Sequence, residues 1–551
     1  MKTLIDTAAG REKAGLVLKN ANIVDVFGSR ILQGDVALCG EYIAGVGNYE
    51  GKEEIDLNGR FILPGLIDTH VHIESSMVTP AQYAKEVLLH GVTTVIADPH
   101  EIANVCGEAG LDFMKKDAEG IPLDIEYMLP SCVPATLFEH SGARLDSRDI
   151  QRLAPNYFGL GEMMNYPGIV QGDPETLSRL VFERVDGHAP FLSGKDLNAY
   201  AAAGIQTDHE CTTLDEMYEK IACGMYILIR EGTLSKDLSK LLPGIQAGTL
   251  RRCCFCTDDR FIGSISKHGS IDHCIRKSIQ LGLSPIDAAV IATRNAAECY
   301  GLKKKGAIAP GYYADLLIAD DLELSSIHSV YKSGKAVAEH GVLLFEPEIK
   351  PLPAEITRTV HLPPVDAGFF DCPLPQVPFA AIELIPHSIT TKKVTVSYHH
   401  GLTKVCVLER HHNTGCKSFG WVTNYHITGG AIASSVGHDS HNVIVAGDND
   451  DAMALAVSTL GNSGGIAVCS PTAVLAFFPL PVAGLMSDLD AKAAAKMHSA
   501  LYEAASTLQI PPEIDPFLSL SFLALPVIPE LRLTDQGLFD VAAFEFLKNE
   551  E

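Results

Sequence analysis

The stretch FILPGLIDTHVHIESS, residues 61–76, sets the expectation for the fold. Its apolar run from Phe61 to Val71 predicts a buried β-strand that ends in the pair His70 and His72. Residues two apart on a strand point to the same face, so both imidazoles can reach one ion. A His-x-His pair also arises by chance, so the rest of the chain must decide whether it binds metal.

Apolar strand candidates alternate with helical stretches beyond this point. Eight of them can be counted, enough to close a (β/α)₈ barrel, and they fit within the roughly 250 residues of such barrels. Stretches such as AQYAKEVLLHG (81–91) and TLSRLVFERV (176–185) predict helices between them. The pattern predicts an α/β protein with a TIM-like barrel over residues 63–302. The strand candidates are Phe61–Val71, Thr93–Asp98, Ile125–Leu129, Phe158–Met163, Val185–His188, Ile205–His209, Tyr226–Arg230 and Arg252–Thr257.

Titratable side chains stand at the ends of most of these strands. The active sites of (β/α)₈ barrels lie at the carboxyl ends of the strands, so residues distant in sequence converge there. Burying several ionisable groups together without a cation costs several kcal/mol apiece, which favours a metal site. Nitrogen and oxygen ligands suit Mn²⁺ or Fe²⁺ as readily as Zn²⁺. The candidate ligands are His70, His72, Glu162, His188, His209 and Asp258.

The segments on either side of the predicted barrel have a different sequence pattern. Residues 1–62 and 303–350 read as short strands separated by glycines, which predicts a small β-sandwich built from both flanks. The proline-rich stretch EPEIKPLPAEI, residues 346–356, leads into a third region. Residues 351–551 mix strand and helix patterns, and we expect a C-terminal α+β domain there.

Composition and charge limit the classes of binding partner and the cellular compartment that we expect for this chain. The net charge of −25 over 551 residues argues against nucleic acid, because phosphate binding needs a basic face. The longest apolar run, Ala473 to Met486, is broken by two prolines and is too short to span a membrane. The N-terminus has no signal-peptide pattern. We therefore expect a cytoplasmic protein whose cysteines are reduced thiols.

A different zinc site deserves comparison. His72-Ile-Glu74 and the cysteines of residues 253–256 match two halves of the cytidine deaminase signature. However, no proline precedes the cysteine pair, and the two halves fall in different predicted strands. Cys254 and Cys256 are better explained as small apolar residues on one face of the eighth strand.

The motif at residues 61–76 resembles the first strand of the amidohydrolase superfamily. Within that superfamily, several further stretches resemble the adenine deaminases, and the likeness covers most of the chain. In the barrel they are ADPHEIANVCG (97–107), GLGEMMNYPGIV (159–170), DGHAPFLSGKDLNAYAAAGIQTDHE (186–210) and FCTDDR (255–260). In the C-terminal region they are IASSVGHDSHNVIVAGDNDDAMALAV (432–457) and LPVAGLMSD (480–488).

This resemblance implies a centre of two divalent metal ions, Mn²⁺ or Fe²⁺ first and Zn²⁺ second. One ion would be held by His70, His72 and Asp258, and the other by His188 and His209. Glu162 would bridge them, where many related hydrolases carry a carboxylated lysine. Its presence argues against a dihydroorotase or a hydantoinase.

The resemblance also implies hydrolytic deamination of adenine to hypoxanthine and ammonia, a reaction of purine salvage. A bound divalent cation lowers the pKa of water to about 7, and we expect Asp258 to pass the proton of that water to the substrate. Glu101, or with less support Glu210, would contact the purine nitrogens. His441, in HDSHN (438–442), would touch the base. We expect adenine as a small-molecule partner and a homo-oligomer, a dimer.

Several alternatives stay open at this point. The chain could act on another aminopurine or on a cyclic amide, or it could be a catalytically inactive metal-binding regulatory protein. Glu101 could be a solvated loop carboxylate, and HDSHN could be a polar turn between strands.

Overall fold

The computed structural model describes residues 1–547, and its N-terminal strands belong to a nine-stranded sheet. These strands are β1 (Ala14–Asp25), β2 (Arg30–Cys39), β3 (Tyr42–Gly47), β4 (Gly51–Asp56) and β5 (Phe61–Pro64). β1 pairs antiparallel with β2 and parallel with β4 and β5. β2 pairs in turn with β3, which lies at the edge of the sheet.

The stretch 61–76 forms two strands where the sequence predicted one. β5 ends at Pro64, and β6 (Leu66–Val71) begins after Gly65 in a different sheet. A Cβ atom on Gly65 would lie 2.2 Å from Oγ1 of Thr93, so a larger residue would force the two apart. The single strand Phe61–Val71 is therefore wrong, because the chain changes sheets at this glycine.

Eight parallel strands, starting with β6, occupy the central region in two sheets. The others are β7 (Val92–Ala97), β8 (Asp124–Leu129), β9 (Gly159–Met163), β10 (Val185–Gly187), β11 (Thr207–Asp208), β12 (Tyr226–Arg230) and β13 (Cys253–Cys256). The strand order is β10-β9-β8-β7-β6 in one sheet and β11-β12-β13 in the other. A parallel bridge joins Val71 to Asp258, and Gln206 donates its N–H to the Val185 carbonyl at 3.0 Å.

Side chains from both sheets share one apolar cluster. Cys254 and Cys256 of β13 lie in it as fully buried thiols, in agreement with their expected packing role. Neither joins a disulfide. The cluster also holds Ile67, Ile96, Met128 and Leu228. Its members come from β6, β7, β8, β12 and β13 and from α13, so the two sheets pack against one shared cluster.

The helices of the central region lie mostly between consecutive strands. None of the helices in residues 1–547 combines the length and the apolar character needed to cross a membrane. The helices are α1 (Lys2–Ala8), α2 (Pro80–Leu89), α3 (His100–Asp117), α4 (Ser147–Leu153), α5 (Tyr166–Gln171), α6 (Pro174–Leu177), α7 (Gly194–Ala202), α8 (Leu214–Ala222), α9 (Leu238–Leu241), α10 (Ile262–His268), α11 (Ile271–Gln280), α12 (Pro285–Val290) and α13 (Ala296–Tyr300).

The helix predicted over residues 176–185 does not form. Only the short α6 is present, and the chain after it is irregular. Leu177 and Val181, which would lie on the apolar face of such a helix, are 40% and 46% exposed. A helix gains most of its stability from packing an apolar face, and these two residues of the predicted face do not pack.

Four strands from beyond the central region complete the nine-stranded sheet. They are β14 (Leu316–Ala319), β15 (Ile327–Lys332), β16 (Lys335–Glu339) and β17 (Val342–Leu343). β14 pairs antiparallel with β5, so the sheet draws its strands from both flanks of the central region. The order across the sheet is β17-β16-β15-β14-β5-β1-β2-β3, with β4 beside β1.

The C-terminal region contains an eight-stranded and a three-stranded sheet. Its strands are β18 (Phe379–Leu384), β19 (Thr391–Val396), β20 (Leu402–Leu408), β21 (Lys417–Thr423), β22 (Ala431–Ser434), β23 (Val443–Gly447), β24 (Gly465–Cys469), β25 (Val474–Pro479), β26 (Leu531–Thr534), β27 (Gly537–Asp540) and β28 (Glu545–Phe546). Its helices are α14 (Asp450–Leu460), α15 (Ala491–Ser506) and α16 (Leu518–Phe522). The larger sheet has the order β19-β18-β21-β20-β23-β22-β24-β25.

This region is attached to the loops that follow the first and last parallel strands. Ser487 donates its N–H to the Met77 carbonyl at 2.9 Å. The ring of Phe261 stacks on that of His498, with centroids 3.4 Å apart. The C-terminal region therefore covers the carboxyl ends of the parallel strands.

A buried arginine, Arg532, joins several segments of the C-terminal region, which we call the cover. Arg532 is fully buried and donates to the carbonyls of Ile389, Phe522 and Ile528 at 2.9, 2.8 and 2.6 Å. Pro529 supplies a fourth carbonyl at 2.9 Å. Burial lowers the pKa of the guanidinium to about 9, and the four acceptors compensate for its lost hydration.

Replacing Arg532 with methionine should therefore destabilise the cover. The variant keeps the apolar volume but leaves several buried carbonyls without donors, at a cost of about 2 to 4 kcal/mol. Denaturant unfolding followed by circular dichroism measures the loss, with Arg251→Met at an exposed position as the control. Equal midpoints for the two variants would contradict this role.

Candidate metal centre

The two imidazoles of the His-x-His pair meet at the carboxyl end of β6. Their Nε2 atoms lie 3.1 Å apart, as expected for two ligands aimed at one point. The Nδ1 atom of His72 donates to the carbonyl of Asp98 at 2.8 Å, which turns the Nε2 atom toward the cluster. Both side chains are buried.

Glu162, at the end of β9, reaches both halves of the cluster. One carboxylate oxygen lies 3.4 Å from Nε2 of His72. The other lies 2.7 Å from Nδ1 of His188 and 3.1 Å from Nε2 of His209. The backbone N–H of Glu162 donates to the carboxylate of Asp98 at 2.8 Å, which fixes the strand end.

A glycine makes that anchoring possible. Gly161 lies against the Asp98 carboxylate, and a Cβ atom at this position would come within 2.2 Å of its oxygen. Asp98 therefore holds two metal-competent residues at once, through its carbonyl on His72 and its side chain on Glu162. This kind of support orients ligands before an ion binds.

Asp258 completes the cluster after β13. Its Oδ1 atom lies 3.3 Å from Nε2 of His72 and 3.7 Å from Nε2 of His70. Its Oδ2 atom accepts from the buried guanidinium of Arg230 at 3.2 Å. The backbone of Asp258 has φ of 54°, in the left-handed region that residues other than glycine rarely adopt.

The structure thus brings together all six side chains predicted as metal ligands. Every one of them is buried. Several of their atoms have no hydrogen-bond partner in the described chain: Nδ1 of His70, Nε2 of His188 and Nδ1 of His209. The six residues form three overlapping groups of three. Each residue of a group offers one ligand atom, and the three atoms of a group lie within 4.8 Å of one another. This nitrogen and oxygen donor set fits divalent cations.

Several residues beside the centre were not among the predicted ligands. Nδ1 of His100 lies 3.2 Å from Glu162, and its ring is 4.5 Å from that of His72. Arg230 binds Asp258 and also Glu210. His100 was visible near its strand end in the sequence, whereas Arg230, the last residue of β12, was not counted because arginine has no lone pair to offer a metal.

Glu101 is buried, not solvated, so the loop-carboxylate alternative is wrong. His438 lies 2.7 Å from one of its oxygens, and His441 contacts the other through Nε2. The Nε2 atom of His100 lies 3.3 Å from a carboxylate oxygen of Glu101. Burial alone would raise the pKa of Glu101, but these three imidazoles outweigh it and hold the pKa well below its usual range.

The cavity over the centre is closed by the C-terminal region. His438 and Asp439, in the segment predicted to approach the pocket, line it together with Glu101. His441 does not line this cavity and instead faces a neighbouring pocket. The apolar part of the lining consists of Met164, Ile389, Phe522, Leu525 and Ile528.

The carboxylates also perturb the protonation of the imidazoles. Burial disfavours the charged form of His209, but the attraction and hydrogen bond of Glu162 outweigh burial and raise its pKa to about 9. Burial likewise disfavours the charged form of His188, but the attraction of Glu162 outweighs burial and raises the pKa of His188. Burial, with help from His209 and His72, lowers the pKa of His70. Without a bound cation, His209 therefore carries a proton at neutral pH.

Comparison with known families divides the chain into two matched parts. Residues 61–337 match the amidohydrolase family. Residues 383–545 match the adenine deaminase C-terminal domain. The first match contains the six clustered side chains, and the second contains His438 and His441.

Similar proteins cover nearly the whole chain. The adenine deaminase of Nitratidesulfovibrio vulgaris Hildenborough is 48% identical, over 99% of this chain and 98% of its own length. That of Clostridium acetobutylicum is 45% identical, over 98% of this chain and 99% of its own. Among solved structures, dihydropyrimidinase from Brevibacillus agri aligns with a TM-score of 0.47 and 15% identity, over 60% of this chain and 96% of that one.

Cation binding at this centre should release protons at neutral pH. Because the pKa of His209 is about 9, a divalent ion must displace its proton at pH 7 but not above pH 9. We expect at least one proton released per chain at pH 7, because the pKa values of His72 and His188 are raised as well, and an affinity for the ion that rises with pH. Calorimetry of Mn²⁺ binding to chelator-treated protein, in buffers of different ionisation enthalpy, measures this release. The same heat in every buffer would contradict it.

Proposed function

Since this chain belongs to the adenine deaminase family of the amidohydrolases, we propose that it hydrolyses adenine to hypoxanthine and ammonia at the centre described above. The observation that carries the proposal is the position of Glu162, whose two oxygens reach opposite halves of one buried cluster. A single carboxylate in that position suits a bridge between two cations.

The proposed ligand sets follow from the distances around Glu162. His70, His72 and Asp258 would hold one divalent ion, and His188 and His209 the other. Mn²⁺ and Fe²⁺ suit these donors, as does Zn²⁺. Bound there, the ions would lower the pKa of water to about 7 and so supply hydroxide near neutrality.

Asp258 is the proposed proton carrier. Its Oδ1 atom faces the imidazoles, while its Oδ2 atom is held by Arg230 at 3.2 Å, so the carboxylate cannot turn away from the reacting atoms. Adenine loses its amine only if that nitrogen leaves protonated. Asp258 would take a proton from the water whose oxygen adds to C6 of adenine and deliver it to the amine nitrogen, so that the C6–N bond breaks and ammonia departs.

Glu101 is the proposed contact to the purine nitrogens. It lines the cavity and is fixed by His438 and His100 on two sides. Glu210, the second candidate, also lines the cavity, where one of its oxygens is held by Arg230. The apolar side chains of Ile389, Phe522 and Leu525 would cover the face of the base.

We also propose that the eight parallel strands close into one (β/α)₈ barrel within residues 63–302. The Val71–Asp258 bridge and the hydrogen bond from Gln206 to Val185 support closure, because they join the two sheets at both edges. Residues 1–62 and 303–350 would form a second domain, supported by their shared nine-stranded sheet. Residues 351–551 would form the third.

An activity assay on reconstituted protein tests the function. The purified chain, stripped of metal and loaded with Mn²⁺, should hold two ions and release ammonia from adenine as hypoxanthine accumulates. Other aminopurines and cyclic amides serve as comparison substrates. Faster turnover of one of those would point to a different amidohydrolase. Bound metal with no turnover of any compound would favour an inactive scaffold.

Replacing Glu162 with alanine should abolish both metal retention and turnover. Two ions lose their common ligand, and the positively charged imidazoles lose their counter-charge. Metal content after gel filtration and ammonia release are the measurements. Glu183→Ala, at an exposed position, is the matched control. An active variant that keeps two ions per chain would refute the bridging role.

Replacing Asp258 with asparagine should reduce kcat far more than it reduces stability. The amide keeps the shape and the contact with the Arg230 region but cannot carry a proton. We expect a fall in kcat of about a hundredfold to ten-thousandfold. Steady-state kinetics on variant protein loaded with excess Mn²⁺, beside its thermal unfolding curve, measures both effects. A kcat within threefold of wild type would rule out proton transfer by Asp258.

A further inference from the structure

A histidine, a cysteine and an aspartate meet outside the metal centre, where the cover packs on a loop of the central region. His140 lies in the loop between β8 and α4. Cys416 stands directly before β21, and Asp535 stands directly after β26. Each residue offers one ligand atom, and the three atoms lie within 4.8 Å of one another. We call these residues the interface trio. None of them lines the cavity over the metal centre.

The carboxylate of Asp535 stands at the middle of the interface trio and is fully buried. Its Oδ2 atom lies 2.5 Å from Nδ1 of His140, and its Oδ1 atom accepts the backbone N–H of His140 at 3.1 Å. The side-chain amide of Asn442 lies 3.4 Å from the same Oδ1 atom. The thiol of Cys416 donates to the backbone carbonyl of Asp535 at 3.3 Å, which keeps the sulfur beside this residue.

This buried carboxylate has no permanent positive charge beside it. Within residues 1–547, no lysine or arginine forms an ion pair with Asp535, and its partner His140 is charged only when protonated. Glu139 is a second buried acid that lies within reach of the charge of Asp535, and one of its oxygens has no hydrogen-bond partner in the described chain. Buried carboxylates are normally paired with a cation or bound to a metal ion. A cation at this point would supply the missing charge.

Neighbouring contacts hold the interface trio in place. Phe138, two residues before His140, packs its ring against that of Phe539 with the centroids 4.5 Å apart. Phe539 belongs to β27, which pairs with β26, the strand that Asp535 follows. The backbone carbonyl of His140 also accepts from the side-chain amide of Asn442 at 2.7 Å. The loop and the cover are therefore fixed to each other on both sides of the trio, as a preorganised metal site requires.

We propose that the interface trio is a third metal site, for a borderline-soft divalent cation of the Zn²⁺ and Co²⁺ class. Thiolate, imidazole and carboxylate are all zinc ligands. The thiolate separates this site from the metal centre, whose nitrogen and oxygen donors suit Mn²⁺. On binding, the thiol of Cys416 gives up its proton to solvent, and a water molecule takes the fourth position.

The geometry of the interface trio allows an ion to enter from the solvent side. Metal–ligand bonds of about 2.0 to 2.3 Å place tetrahedral ligand atoms roughly 3.3 Å apart or more. The imidazole of His140 must therefore move away from Asp535 by about 1 Å. The side chain of His140 is 42% exposed, so the move displaces water and no packed neighbour.

An ion at the interface trio would tie the loop after β8 to the cover. His140 belongs to this loop, whereas Cys416 and Asp535 belong to the cover. Asn442, which bonds to His140, directly follows His441, whose imidazole contacts Glu101 at the metal cavity. Occupancy of the trio should therefore stabilise the closed arrangement of the cover over the metal centre.

Cobalt absorption tests the proposal. Co²⁺ bound to a thiolate gives a strong charge-transfer band in the near ultraviolet, which the metal centre cannot give because none of its six proposed ligands is a cysteine. Chelator-treated wild type should develop the band as Co²⁺ is added. Cys416→Ser should lose the band and bind one equivalent of Co²⁺ fewer per chain. Cys372→Ser, at another partly buried free cysteine of the same region, is the matched control and should keep both.

A second variant tests the imidazole ligand. His140→Ala removes a partly exposed side chain, so the fold should survive, and thermal unfolding confirms this. The Co²⁺ concentration that gives half of the band should rise at least about tenfold, because the ion loses one of its three protein ligands. An unchanged titration of the band in His140→Ala would overturn the proposed ligand set.

The remaining outcomes are equally decisive. A wild-type protein that binds Co²⁺ without the band would overturn the site. A band that survives Cys416→Ser, or that is lost in Cys372→Ser, would assign the thiolate to another cysteine and would also overturn it. The band does not depend on turnover. Its presence in wild type and loss in Cys416→Ser would support the third site even where no adenine is hydrolysed and the proposed function fails.

Discussion

The structure depends on a concentration of ionisable groups in a place that excludes water. Four imidazoles and two carboxylates lie within contact of one another at the carboxyl ends of parallel strands, all of them buried. Such a cluster is stable only when each charge has a partner, and divalent cations are the partners that satisfy all six at once. The surrounding residues serve to hold the six in place.

Two supports illustrate how the strand ends are held. Asp98 supports two of the six residues. Its backbone carbonyl accepts from the imidazole of His72, and its carboxylate accepts from the backbone N–H of Glu162. The fully buried ammonium of Lys220 binds Asp208 and the carbonyl of Ala189, each at 2.8 Å. Since Asp208 precedes His209 and Ala189 follows His188, this contact fixes two imidazoles relative to each other. The C-terminal region adds the cover, and His438 and Asp439 bring further charge to the cavity.

The sequence allowed the six clustered residues to be predicted because they stand at the ends of five strands, which is a local pattern. His441 and Glu101 lie 340 residues apart, and their contact depends on how the C-terminal region packs on the parallel strands. Sequence patterns carry no information about that packing, so the contact of His438 with Glu101 was missed. Arg230 was missed because its ion pairs with Glu210 and Asp258 join residues of different strands. The helix predicted over residues 176–185 is absent for a related reason, because Leu177 and Val181 of its apolar face lie exposed instead of packing. Gly65 ends a strand through one close approach to Thr93, a constraint that only coordinates reveal.

Anomalous diffraction from crystals of the Mn²⁺-loaded protein, recorded at the manganese absorption edge, tests the central claim most directly. The account predicts two peaks about 3.5 to 4 Å apart. One should lie beside His70 and Asp258 and the other beside His188 and His209, with Glu162 between them. A single peak, or peaks remote from these side chains, would contradict it.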